Sequence, residues 1–139
     1  MKTQKGFTLI ELLVVIAIIG LLSTLSVVAL NNARMKSRDA KRVSDIKQIQ
    51  TALELYFNDV NAYPATLGTS IVNGTVTYMA SVPTNPTPAT DGATCTVDNG
   101  TYTYTMTVNG ASYTLTYCLG GQTGSVPTGT HTAYPGALF

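Results

Sequence analysis

Glu11 is the single acid in an otherwise apolar run from Phe7 to Leu30, and its setting calls for a chemical reason. A carboxylate inside a segment apolar enough to enter a bilayer costs roughly 2.5–3.5 kcal/mol on insertion scales, and such residues are usually there for a purpose. Near the end of the run, Glu11 has the reach to snorkel to headgroups, or it has a role in assembly. Other candidates are sparse. Cys95 and Cys118 form an even pair in a half of the chain that reads as exported, which favours one disulfide over two buried thiols. Closing a loop of that length stabilises by roughly 3 kcal/mol. Asp91 and Asp98 supply oxygens of the kind calcium takes, yet EF-hand spacing is missing and Asp-Gly and Asp-Asn-Gly are turn formers, so no metal is expected. Asn73-Gly-Thr and Asn99-Gly-Thr match the glycosylation pattern but read as turns. His131 is the lone histidine. With no P-loop, CxxC or Gly-x-Ser-x-Gly and no nucleophile beside a base, the sequence predicts neither an enzyme nor a cofactor.

The elements that position these residues follow from patterning. Phe7 to Leu30 would span about 36 Å as a helix, enough to cross a hydrocarbon core of about 30 Å with some tilt. The apolar run is longer than a secretory h-region, and its far end lacks an A-x-A cleavage pattern. No proline interrupts residues 7 to 60, and Gly20 is the one glycine there. From Asn31 the pattern turns amphipathic. Ala33, Ala40, Val43, Ile46, Ile49, Leu53, Tyr56, Phe57 and Val60 make an apolar stripe, with Asp39, Lys41, Arg42, Asp45 and Lys47 placed mostly on the opposite face. Arg42–Asp45 and Lys41–Asp45 lie within side-chain reach. One helix of about 50 residues is expected, ending at Asn61-Ala-Tyr-Pro64.

The remainder reads as a small β-rich head. Val76–Ala80 is a short strand or a turn of helix, and 83–88, with three prolines, is irregular. Thr101–Val108 and Ala111–Leu119 flank Asn109-Gly110 as a hairpin. Pairing Val108 with Ala111 sets Met106 opposite Tyr113, Tyr104 opposite Leu115 and Tyr102 opposite Tyr117, on the face that covers the helix, with the threonines outward. Cys95 would come from a preceding strand, Cys95–Val97, with Asn99-Gly100 as the following turn. Gly120 to Phe139 reads as coil. All eight basic residues fall between Lys2 and Lys47, so the head has none. Such a head is poor for nucleic acid. The basic run Arg34–Arg42 reads as a solvated helix face or a contact between subunits in preference to a DNA or anionic-lipid site, because it lacks interleaved aromatics.

At GFTLIELLVVIAIIG, residues 6 to 20, the chain resembles the type IV pilins and the pseudopilins of type II secretion. The resemblance is specific over 5–30, and the order helix, Tyr-Pro, loop, VPxxP, hairpin is similar in layout beyond. It implies an α+β protein with four parts: a leader (1–6), a membrane or filament-core helix (7–30), its amphipathic continuation (31–60) and a β-rich head with a C-terminal coil (61–139). It also implies cleavage after Gly6 by a prepilin peptidase and N-methylation at Phe7. Glu11 would then stand four residues from a cationic terminus and neutralise that of an adjacent subunit on assembly. The implied partners are further copies in a helical filament, inner-membrane assembly machinery, and membrane lipid before assembly, with no nucleic acid bound directly.

The implied orientation places the N-terminus in the cytoplasm and the head outside. Arg34, Lys36, Arg38, Lys41 and Arg42 beyond the span run against that orientation by the positive-inside rule. Many type IV pilins have a proline partway along the helix; Val28 occupies that region here. The expected function is that of a pilus subunit for adhesion, motility or DNA uptake. The alternatives are a secretion pseudopilin and a membrane-anchored binding module that does not polymerise.

Overall fold

The computed structural model describes residues 6–92, 95 and 101–138. The chain divides into two compact units, Met1–Arg34 and Met35–Phe139. One helix, α1 (Leu9–Val60), supplies the first unit and begins the second. It passes Gly20 without a break, as expected of a segment free of proline. Three hydroxyl residues interrupt its apolar part, and each returns its proton to the helix: Ser23 Oγ donates to Ile19 O at 2.7 Å, Thr24 Oγ1 to Leu21 O at 2.8 Å, and Ser26 Oγ to Leu22 O at 2.8 Å. The run is thereby left without unmet donors that would oppose burial in an apolar phase. The helix stops where expected. Asn61 adopts φ 56° and its N–H donates to Phe57 O at 2.7 Å, the left-handed cap that asparagine tolerates.

In the second unit, α1 is followed by β1 (Ile71–Asn73), β2 (Val76–Met79), β3 (Thr103–Met106), β4 (Tyr113–Leu119) and β5 (Gly129–Ala133). β1 and β2 form an antiparallel hairpin, and β3, β4 and β5 form an antiparallel sheet in that order. Val76–Met79 is thus a strand. Gly129–Ala133 corrects the reading of the C-terminal segment as coil: its glycines and prolines hide the alternation of His131 and Ala133 with Thr130 and Thr132, which lets it pair along the edge of β4. The expected strand from Cys95 and the Asn99-Gly100 turn lie outside the described residues, Cys95 itself excepted.

The hairpin register is the one the alternation predicts, with Tyr104 opposite Leu115 and Met106 opposite Tyr113. Tyr102, Tyr113, Leu115, Tyr117 and Leu119 are buried, while Thr103 and Thr105 are exposed. The strands are shorter than expected, because the connection is a four-residue loop closed by Thr107 N–H on Ser112 O at 2.9 Å. Asn109 and Gly110 both have φ 68° inside it. The loop docks on the end of α1: Tyr63 N–H donates to Gly110 O at 2.8 Å.

The core is the stripe Ile46, Ile49, Ala52 and Leu53 against the inner sheet face, with Tyr63, Ile71, Val126 and Ala133 filling its margins. Tyrosines supply much of the volume. Tyr63 stacks on Phe57 at 4.6 Å and meets Tyr113 edge-on at 4.7 Å. Most of their hydroxyls reach out of the core to a partner: Tyr102 donates to Asp45 at 2.9 Å, Tyr63 to Glu54 at 3.0 Å and Tyr104 to Pro64 O at 2.7 Å.

The upper part of the predicted stripe needs correction. Ala33 and Ala40 are exposed, whereas Asp39, Arg42 and Asp45 are buried. Helix phase explains it. At about 100° per residue, Asp39 lies within about 20° of Ile46, and Ala40 about 120° away. The stripe continues towards the N-terminus as charged residues. Gly110 gives the first test: a Cβ there would sit 3.0 Å from Ala62 Cβ at a φ that disfavours side chains. Gly110→Ala is expected to cost about 1–3 kcal/mol in urea unfolding, with the transition remaining cooperative.

Candidate functional site

Two sites emerge, one in each unit. In the first, Thr8 and Glu11 cap the start of α1. Thr8 N–H and Oγ1 donate to Glu11 Oε2 at 2.8 and 2.6 Å, and Glu11 N–H donates back to Thr8 Oγ1 at 3.3 Å. This reciprocal arrangement is a capping box. Glu11 thus has a role in its own helix that the sequence reading missed, although Thr-x-x-Glu before an apolar run is its usual signature. Phe7 and the apolar side chains from Leu9 to Leu30 are solvent-exposed; Phe7 is 82% accessible and Leu9 81%. The helix is long and apolar enough to cross a membrane. Gly6 and Phe7 precede its first turn.

The second site is a buried charge cluster. Arg42 is fully inaccessible and uses all five of its N–H donors. Nε meets Asn85 Oδ1 at 2.9 Å, and one terminal nitrogen meets Asp39 Oδ1 at 2.6 Å and Asp91 Oδ2 at 2.8 Å. The other terminal nitrogen donates to the carbonyls of Pro86 and Pro88. Asp39 in turn accepts the N–H groups of Gly120 at 3.0 Å and Gly121 at 2.8 Å. Glycine is required at 120, since a Cβ there would collide with Asp91. Arg38 grips Asp91 through Nε at 2.8 and 2.9 Å and through a second nitrogen. Lys41 pairs with Asp45 at 2.6 Å, as expected, but the Arg42–Asp45 pair gives way to Arg42–Asp39.

Arg38, Lys41 and Arg42 therefore have carboxylate partners, but Arg34, Lys36 and Lys41 are exposed, so the run is a solvated face from which Arg42 alone is fully turned inward. Cys95 and Cys118 are joined, with Cα atoms 6.1 Å apart. Asp91, a candidate calcium ligand by sequence, is instead committed to two guanidinium groups, and Asp98 lies outside the described residues. Among the described residues no cluster of His, Cys, Asp and Glu of metal-binding kind occurs.

An apolar, capped N-terminal helix continuing into a helix covered by small antiparallel sheets is the α+β layout of a pilin-like subunit. Residues 1–27 match the family model described as the prokaryotic N-terminal methylation motif. The chain is similar to the type II secretion system core protein G of Pectobacterium carotovorum, at 46% identity over 45% of this chain and 40% of the relative. It is similar to the protein of the same name from Vibrio cholerae, at 35% identity over 63% of this chain and 56% of the relative. A fimbrial protein of Pseudomonas aeruginosa is 41% identical over 39% of this chain and 35% of the relative. The chain thus spans about half the length of the relatives it matches. No solved structure matches it.

The cluster makes two measurable demands. Arg42→Ala would strip a buried, fully paired guanidinium from two carboxylates and is expected to lower head stability by about 3–5 kcal/mol in urea unfolding. Burial opposes charging Asp91, but hydrogen bonds from Arg38 and Arg42 outweigh it and hold its pKa below the ordinary carboxylate value. A folded pKa below the unfolded one contributes stability that is present above about pH 4 and is lost as pH falls through the folded value. Asp91→Asn is accordingly expected to flatten the acid limb of the stability–pH curve, measured by unfolding midpoints between about pH 5 and 2.

Proposed function

We propose that this chain is a structural subunit of a pilus-like filament of the type II secretion kind, that is, a pseudopilin. It is cleaved after Gly6, methylated at Phe7 and polymerised by packing of its apolar helices. The observation that carries the reading is the bare apolar segment from Phe7 to Leu30 with one carboxylate, Glu11, four residues from the terminus that cleavage would create. A helix that is apolar all round gains by burial in a bilayer or among other helices. A cationic amine entering such surroundings needs a counter-charge, and leaving it unpaired is costly.

The methylation motif supports processing, and the relatives named core protein G favour secretion over the adhesive pilus. The fimbrial relative keeps the pilus as the second reading, since the shared N-terminal segment serves both. Before assembly the subunit sits in the cytoplasmic membrane with its head outside. Its partners are copies of itself, a prepilin peptidase and the inner-membrane assembly machinery. It performs no catalysis and binds no nucleic acid.

Mass spectrometry of the N-terminal peptide in sheared-filament and membrane fractions tests this. N-methylated Phe7 concentrated in the membrane fraction is the expected outcome. Abundance in sheared surface filaments would favour the pilus, and an intact leader in every fraction would overturn polymerisation. Glu11→Ala is expected to leave membrane insertion intact and to reduce incorporation into filaments at least tenfold, read by cross-linking in cells.

A further inference from the structure

The buried cluster and the disulfide act on the same piece of chain. Arg42 holds Asn85, the carbonyls of Pro86 and Pro88, and Asp91, and Arg38 adds a second grip on Asp91. Cys95 follows four residues after Asp91. Its partner Cys118 lies at the same seat: Cys118 Sγ is 3.9 Å from Thr90 O, and Gly120 and Gly121, just past Cys118, donate to Asp39. Apart from that Thr90 carbonyl, segment 85–91 is held by ionic and polar contacts of Arg38 and Arg42 that touch neither sulfur. The charges facing Asp91 are Arg38, Arg42 and, across Arg42, Asp39.

We infer that the Arg38–Arg42–Asp39–Asp91 cluster is a non-covalent seat that delivers Cys95 to Cys118, so that the bond closes on a preformed loop and is guarded against reduction. With Asp91 seated, four residues of chain limit Cys95 to within about 14 Å of it. Without the seat, Cys95 is tethered to the paired strands only through buried Tyr102, seven residues on, which limits it to within about 24 Å. The accessible volume then differs by roughly fivefold, and the effective concentration of one thiol at the other changes in proportion. Oxidation balances in the ordinary way: two cysteine thiols give up two protons and two electrons to one glutathione disulfide, which leaves as two glutathione molecules. Coupling is reciprocal, so whatever the seat adds to the bond the bond adds to the seat.

The test equilibrates the full-length chain in detergent micelles with a series of reduced and oxidised glutathione, traps free thiols by alkylation and counts them by mass. Asp91→Asn removes the shared anion. Arg38→Gln is the milder variant, because the Arg38 side chain is 27% accessible and Arg42 keeps Asp39 without it. Both are expected to shift the half-oxidation point up to about fivefold towards the reduced form. A shift under twofold in Arg38→Gln would overturn the proposal, whatever the fate of Asp91→Asn. In the double variant Cys95→Ser/Cys118→Ser, hydrogen exchange at the Gly120 and Gly121 amides is expected to accelerate by about the same factor only. Exchange at the unprotected rate would show that the bond makes the seat, which reverses the order proposed.

Discussion

A guanidinium that is wholly out of water must find a partner for every proton it carries, and Arg42 imposes that condition on the head. Asp39 is one turn away on the same helix, but the other acceptors come from segment 85–91, far along the chain. Two of these are main-chain carbonyls preceding or belonging to proline-rich sequence, where regular hydrogen bonding is scarce. The irregular segment is therefore shaped by an ion, in the way that strands are shaped by their ladder. Lysine, with a compact ammonium and three donors, has no means of filling the same five directions. Asp39 then extends the constraint to the turn after β4 through the N–H groups of Gly120 and Gly121, and the close approach of Asp91 excludes a side chain at 120.

Below that cluster the same face of the helix is apolar, and the sheet is laid on it by tyrosines whose rings fill the core, with the hydroxyls of Tyr63, Tyr102 and Tyr104 reaching acceptors at its margin. The helix acids Asp45 and Glu54 serve that margin as acceptors. This explains how a head without a single basic residue accommodates acids at its edge: lysines and arginines of the helix take some, and phenols take the rest. Burial raises the phenol of Tyr113 to about 12, so these groups stay neutral in the folded head at physiological pH.

Much of this was legible in the sequence, for identifiable reasons. The 52-residue helix, its stop at Asn61 and the hairpin register all follow from strong local signals: absence of proline, a Tyr-Pro stop and strict alternation around Asn-Gly. β5 escaped because glycines and prolines obscure a five-residue alternation whose pairing partner is a strand already in place. The charge cluster escaped for a different reason. Asp39 and Arg42 occupy the phase of Ile46 and Ile49, but charged residues are normally assigned to the wet face. Only the long-range acceptors, invisible to local patterning, make burial affordable.

At the start of the helix, Thr8 directs both its hydrogen bonds to the same Glu11 oxygen, Oε2. A carboxylate is a two-handed acceptor, and one hand holds the helix shut while the other remains turned to the surroundings. Closing its own first turn and meeting an incoming cation are then not rival tasks for this residue. The Gly6–Phe7 bond also lies outside the Thr8–Glu11 box, so trimming the chain there would leave the helix end already finished.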